Sequence, residues 1–231
     1  MKADIGIIGA MDVEVRELSA ALENRCDERV GGLVFHTGTM FGKNIVLVKC
    51  GIGKVFAAIA AEAMILRYSP SLIVNTGVGG ALAKDLSCAD VVVASSLIQH
   101  DMDTSAIGDP VGLVSGINKI FFESDERASS LLLDAAREMG IKARLGVVAS
   151  GDKFIADKCD KERIVKSFSA DACEMEGAAI AQTAFVNSVP FAVVRAISDS
   201  ADEGASMDYP SFLAIAADNS KRMTLSLIKK Y

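Results

Sequence analysis

Residues 53–80 read GKVFAAIAAEAMILRYSPSLIVNTGVGG, and this stretch decides the fold. Gly53 to Tyr68 is rich in alanine and other good helix formers, and Ser69-Pro70 stops the helix. Leu72–Thr76 then opens with Leu-Ile-Val, an apolar run without polar alternation, as in a strand covered on both faces. It runs into Gly77-Val78-Gly79-Gly80, which reads as a glycine turn. A helix feeding directly into such a strand is the building unit of a sheet with parallel neighbours.

The alternation continues outward in both directions. Upstream, Ile5 to Ala10 suits a buried strand, and Asp12 to Leu22 carries Val13, Val15, Leu18 and Leu22 at helix spacing. Leu33–Thr39 and Asn44–Cys50 alternate around Phe41-Gly42-Lys43, a hairpin signal. Downstream, strands are expected at Asp90–Ile98, Lys142–Ser150 and Pro190–Ser198. Helices are expected at Ser124–Met139, Lys161–Phe168, Met175–Asn187 and Ser211–Lys230, and residues 102–118 read as a long loop around Gly108-Asp109-Pro110. The pattern predicts an α/β fold: a three-layer αβα sandwich with a mixed, mostly parallel central sheet, in a single domain covering residues 1–231.

Composition narrows the function classes. The 231 residues carry 24 Lys+Arg against 30 Asp+Glu, a formal charge of −6, with 51% hydrophobic residues and only 4 Pro. A disordered chain would be poorer in apolar residues, and a nucleic-acid binder would show clustered Lys and Arg, which are lacking. No run of about 18 apolar residues is present to span a membrane. Met1-Lys2-Ala3-Asp4 leads straight into strand-like sequence, without the basic and apolar segments of a secretory signal. Cys26, Cys50, Cys88, Cys159 and Cys173 are odd in number and form no CxxC, which points to a reducing compartment rather than to disulfides or a zinc knuckle. A cytoplasmic protein is expected.

In open α/β sheets, ligands collect at the carboxyl ends of the strands. Five such ends are unusual: Gly9-Ala10-Met11 with Glu14 one turn on, Gly51-Ile52-Gly53, Gly77–Gly80, Gly151-Asp152-Lys153-Phe154, and Ser198–Asp202. They predict one site assembled from distant segments. None is a dinucleotide or P-loop fingerprint. Three acids stand out for proton transfer: Glu14, Glu176 in Glu174-Met175-Glu176-Gly177, and Asp199 in Arg195-Ala196-Ile197-Ser198-Asp199. Each has a structural alternative. Glu14 and Glu176 would complement a helix dipole, and Asp199 would serve as an N-cap. His36 and His100, the two histidines, are too few and too far apart for a metal set.

Taken together, IGIIGAM…E, CGIGK, NTGVGG, SGDKFI, CEMEGAAIA and VVRAISDSAD occur in an order and spacing that resemble the 5′-methylthioadenosine/S-adenosylhomocysteine nucleosidases of the nucleoside phosphorylase/hydrolase superfamily. The resemblance runs from Asp4 to about Lys229. It implies hydrolysis of the N-glycosidic bond of an adenine nucleoside carrying a 5′-thio group, with no metal and no cofactor, in a sulfur-salvage role. Asp199 matches the acid to adenine N7, with Ser198 orienting it. Glu14 matches the base for water, and Glu176 the holder of the ribose hydroxyls, its negative charge favouring a cationic ribose. Met175 and Gly80 line the sugar and base, Phe154 meets the adenine face, and the Ile155 backbone meets its edge. Met11, Ile52 and Tyr209 match the 5′-thio slot. Arg195 is expected to hold the water or the ribose edge, its structural alternative being an ion pair. The resemblance also implies a homodimer whose neighbour closes the slot with its 102–118 loop.

The chain departs from the family pattern at Val78, where Ser is common, so water placement falls to Glu14 and Arg195. Tyr209 stands where Phe is common and suits a more polar 5′ group. Three alternatives stay open: a hydrolase of a futalosine-type nucleoside, a purine nucleoside phosphorylase, and a nucleoside-binding protein without turnover. Against phosphorolysis, Asp12 and Glu14 occupy the first glycine turn, and Asn75 and Val78 the second, where phosphorylases place cations and hydroxyls.

Overall fold

The computed structural model describes residues 2–202 and 205–231. Its centre is β1 (Ile5–Gly9) paired in parallel with β5 (Leu72–Ala81), both buried along their whole length. Beyond β1 lie β4 (Lys43–Lys49), β3 (Leu33–Met40) and β2 (Glu23–Val30). β3 returns on β4 through Phe41-Gly42, with φ of 51° and 76°, the two-residue turn whose twist suits a hairpin. β2 was not expected, because ENRCDERV has no apolar face. It is an exposed edge strand held by its ladder to β3, and its charges suit an edge. It also shortens the first helix, α1 (Asp12–Ala20).

On the other side, β10 (Phe191–Asp199) runs parallel to β5 and antiparallel to β6 (Val91–Gln99), to which the short β7 (Phe122–Glu123) adds. β6 pairs with β8 (Ala143–Ser150), β8 with β9 (Ala172–Glu174), and β9 returns to β5. The sheet therefore closes on itself through β5, β10, β6, β8 and β9. The expected α/β class with a mixed sheet stands, and within it the strands form a small ring with an open wing. Parallel and antiparallel pairings are also equally common, rather than mostly parallel. The closing strand, β9, is three residues long, too short to leave a periodic signal.

Strand alternation sorts two cores. Ile8, Val46 and Val48 face α2 (Lys54–Tyr68) and α5 (Gly177–Val186), while Ile5, Ile7, Ile45 and Leu47 face α1, α3 (Glu126–Glu138) and α6 (Ala205–Lys230). A smaller cluster joins Ile164 and Phe168 of α4 (Lys158–Phe168) to Ile98 and Ala149. The long loop forms as expected, with a single 3₁₀ turn at Ser105–Ile107. α6 starts before the expected Ser211 because Pro210 lies inside it rather than ahead of it.

Gly77-Val78-Gly79-Gly80 is not a turn but the second half of β5. These glycines are there for space, not for φ. A Cβ on Gly77 would meet Oε1 of Glu14 at 2.4 Å, one on Gly79 the Cys173 carbonyl at 2.8 Å, and one on Gly80 Oδ1 of Asp199 at 2.8 Å. The strand backbone is thereby brought against the acids of the site.

Candidate active site

The carboxyl ends of β1, β5 and β10, together with the segments after β4, β8 and β9, surround one cavity that opens to solvent. Met11, Glu14, Ile52, Gly80, Phe154, Ile155, Met175, Glu176, Ser198, Asp199 and Tyr209, all expected at the site, line it. Val78, the departure from the family pattern, lines it as well. Arg195 does not.

Glu14 stands in the first turn of α1, and its side chain folds back over the preceding loop. Its Oε2 accepts from the backbone N–H of Ala10 at 2.7 Å and of Met11 at 2.9 Å, and its Oε1 from that of Val78 at 3.1 Å. So Val78 brings no hydroxyl, but its backbone holds the carboxylate. Burial raises the Glu14 pKa, against the opposing pull of Arg195 and the three N–H groups.

Asp199 ends β10 with 2% of its surface exposed. Ser198 Oγ donates to its Oδ2 at 2.9 Å, and the Ala201 N–H to its Oδ1 at 3.0 Å. Burial raises its pKa, with Asp208 and Asp202 adding to the effect and the two hydrogen bonds opposing it. The expected orienting role of Ser198 thus has its hydrogen bond.

The third acid belongs to a cluster that sequence reasoning only half saw. Glu174, two residues before Glu176, was given no role, yet it is the partner of the fully buried Arg195. Nε and Nη2 of Arg195 both reach Glu174 Oε2, Nη2 also meets Asn75 Oδ1, and Nη1 donates to the Val194 carbonyl at 3.1 Å. Ser150 Oγ and the N–H groups of Glu176 (3.0 Å) and Gly177 (2.7 Å) complete the shell of Glu174. Arg195 thus lies behind the residues that line the cavity, with its guanidinium bonded to Glu174, Asn75 and the Val194 carbonyl. A buried arginine needs a buried carboxylate, and that requirement was the available signal for Glu174.

The consequence is a split within one motif. Burial pushes the Glu174 pKa up, but Arg195 and the surrounding donors more than reverse this and hold it below the usual range. Glu176 is pushed up to about 8, by burial first and by the charge of Glu174 second. Arg195 stands 3.9 Å from Glu176, but its short contacts are to Glu174. The Gly53 N–H, 2.9 Å away, lowers the Glu176 value only in part. The charge of Glu174 therefore opposes ionisation of Glu176, two residues along the same motif.

This fixes a sign. A carboxyl whose folded pKa exceeds its unfolded one binds more protons when folded, so its contribution is fully present below about pH 4.5 and is lost as pH rises through about 8. Glu176→Gln is expected to flatten the fall in thermal stability between pH 6 and 9 that the unliganded wild type shows, as read by calorimetry at a series of pH values. An unchanged slope would mean that Glu176 is ionised throughout.

Phe154 and Tyr209 form the outer wall, ring edge to ring face at 5.7 Å between centroids. The Tyr209 hydroxyl points at Met11 Sδ, 3.2 Å away. Lys153, the other cation at the cavity, is paired with Asp157 and Asp160. Among the described residues, no group of three His, Cys, Asp or Glu side chains is arranged to hold a metal ion, and no helix is long and apolar enough to cross a membrane.

A family model described as phosphorylase superfamily matches residues 4–229. A 5′-methylthioadenosine/S-adenosylhomocysteine nucleosidase of Shewanella sp. (strain W3-18-1) is 36% identical over 227 residues, 98% of each chain. The solved structure of the nucleosidase of that name from Neisseria meningitidis, in complex with methylthio-immucillin-A, aligns with a TM-score of 0.95 and 37% identity, over 98% of this chain and 99% of its own. Futalosine hydrolase of Helicobacter pylori strain 26695 aligns with a TM-score of 0.93 and 38% identity, over 98% and 97%.

Proposed function

The chain belongs to the phosphorylase superfamily, and within it we propose that this protein hydrolyses the N-glycosidic bond of 5′-methylthioadenosine and S-adenosylhomocysteine, releasing adenine and a 5′-thioribose. The observation that carries this is the meeting of Asp199, Glu14 and Glu176 in one cavity where the lining Lys153 and the Arg195 behind it are already paired with carboxylates. Such a cavity repels a phosphate dianion and tolerates water.

The chemistry has two demands. Adenine anion is a poor leaving group, so N7 takes a proton as the bond breaks. Asp199, whose pKa burial raises and which Ser198 and Ala201 aim, supplies it. The ribose gains oxocarbenium character, as in other glycoside cleavages. Glu176 holds the ribose hydroxyls, and its carboxylate favours positive charge on the sugar. Glu14 takes the proton of the attacking water. Phe154 covers the purine, the Ile155 backbone pairs with its edge, Met175 and Gly80 border the sugar and base, and Met11, Ile52 and Tyr209 receive the 5′ arm.

Two copies complete the site in this proposal. Ile52, Val55, Phe56, Ile59 and Leu66 are all more than half exposed along the α2 side, starting at the cavity rim itself. An apolar stripe of this kind is what a second copy would cover, and its 102–118 loop would close the 5′ slot. Light scattering should give twice the chain mass. The compartment proposed is the cytoplasm, in keeping with five free cysteines.

The direct test is adenine release from 5′-methylthioadenosine in phosphate-free buffer. The expected result is full turnover, with no acceleration by added phosphate. Release only with phosphate would make the protein a phosphorylase. Glu14→Gln is expected to lower kcat by about 10²–10⁴-fold while nucleoside binding persists. Binding lost together with early melting would make Glu14 structural instead.

A futalosine-type substrate is the second reading, favoured by the Helicobacter likeness and by the Tyr209 hydroxyl facing the proposed 5′ slot. The ratio of kcat/KM for the two nucleosides decides between them.

A further inference from the structure

Three segments from different strand ends meet beside the cavity, outside the acid cluster. Lys54 begins α2, just after the Gly51-Ile52-Gly53 wall. Asp101 follows β6, and Asp152 follows β8, two residues before Phe154. Their polar groups interlock. Lys54 Nζ donates to Asp101 Oδ1 at 2.6 Å and to Gln99 Oε1 at 3.1 Å. The Asp152 N–H donates to Asp101 Oδ2 at 2.9 Å, and the Lys54 N–H to Asp152 Oδ1 at 2.8 Å. The circuit closes: Lys54 to Asp101, Asp101 to Asp152, Asp152 back to Lys54.

The surroundings explain why a clasp is needed there. Gly51 and Gly53 sit at φ of +97° and +102°, a backbone of the kind only glycine adopts easily. A Cβ on Gly53 would stand 3.0 Å from Asp152 Oδ1. The Ile52 segment is instead pinned through the first N–H groups of α2, that of Gly53 by Glu176 and that of Lys54 by Asp152. From below, the buried His100 ring fills the place where a Gly151 Cβ would be, at 2.3 Å. Asp152 is itself exposed and lines no part of the cavity.

We propose that Asp152, linked through Asp101 and Lys54, is a positioning residue that holds the Ile52 wall and the Phe154–Ile155 wall of the cavity at a common spacing, and so sets affinity for the bound nucleoside without touching it. Ordering two walls before binding removes a cost that the ligand would otherwise bear. A loosened clasp therefore acts on KM more than on kcat, because Asp199 and Glu14 are held by other partners, whereas Glu176, the proposed holder of the ribose hydroxyls, accepts from the Gly53 N–H of the same segment.

The role presupposes that the cavity is the nucleoside site, and the test separates the two ideas. Purine release from 5′-methylthioadenosine is measured for wild type, Asp152→Ala and Asp152→Asn, alongside amide hydrogen exchange of residues 50–56 and 151–157 in the unliganded proteins. Asp152→Ala is expected to raise KM about tenfold, with kcat changed less than about threefold, a size in keeping with loss of a capping hydrogen bond. Asp152→Asn keeps the acceptor for the Lys54 N–H and should stay within about threefold of wild type. Exchange should quicken in both segments of the Ala variant, not in residues 50–56 alone. An unchanged KM in Asp152→Ala, or an Asn variant as impaired as the Ala variant, would overturn the role. If wild type releases no purine, the nucleoside assignment fails, and the exchange result still decides the clasp: joint loosening supports it and independent behaviour of the two segments overturns it.

Discussion

Asp199→Asn should reduce adenine release by about 10²–10⁴-fold, the usual worth of a positioned general acid. Asparagine matches the carboxyl in shape: its oxygen can accept from the Ala201 N–H while its amide donates to the Ser198 hydroxyl, so the strand end should keep its geometry. What is lost is the proton. The change also removes a buried acid beside Asp202 and Asp208, so stability should hold or rise slightly rather than fall. Steady-state kinetics together with a melting curve check this. Near-full activity would remove Asp199 from the reaction. A large fall in melting temperature would mean that it caps the chain after β10.

Arg195→Met should have the largest effect on stability. The guanidinium is fully buried and serves Glu174, Asn75 and the Val194 carbonyl at once. Removing it leaves Glu174 buried without its cation, a class of change that costs about 3–5 kcal/mol, or about 10 °C in melting temperature for a chain of this size. Glu14 and Glu176 both lose an attraction that lowers their pKa, so each should hold its proton to still higher pH. A double variant, Arg195→Met with Glu174→Gln, should recover part of the loss, because no charge is then left unpaired. If Arg195→Met instead melts like wild type but binds substrate poorly, the arginine contacts substrate and does not merely position its neighbours.

These outcomes bear on how far the chain could be read in advance. The alternation of helix and strand was legible because hydrophobic period is a local property, and Leu72–Thr76 shows it plainly. β2 was not legible, since an edge strand buries too little to need apolar residues. β9 was not either, since three residues carry no period, yet it closes the ring. As punctuation the glycines of β5 suggest a turn, whereas they are absent side chains that let the strand approach Glu14 and Asp199.

By itself, the sequence determined the α/β class and the identity of the three acids, because residue type and order along the chain carry both. The tertiary structure alone decided how two carboxyls of one motif are set apart. Glu174 and Glu176 are two residues apart in one motif and have the same chemistry. Their pKa values shift in opposite directions because Arg195, 21 residues further along the chain, bonds one of them directly and leaves the other beside a negative neighbour.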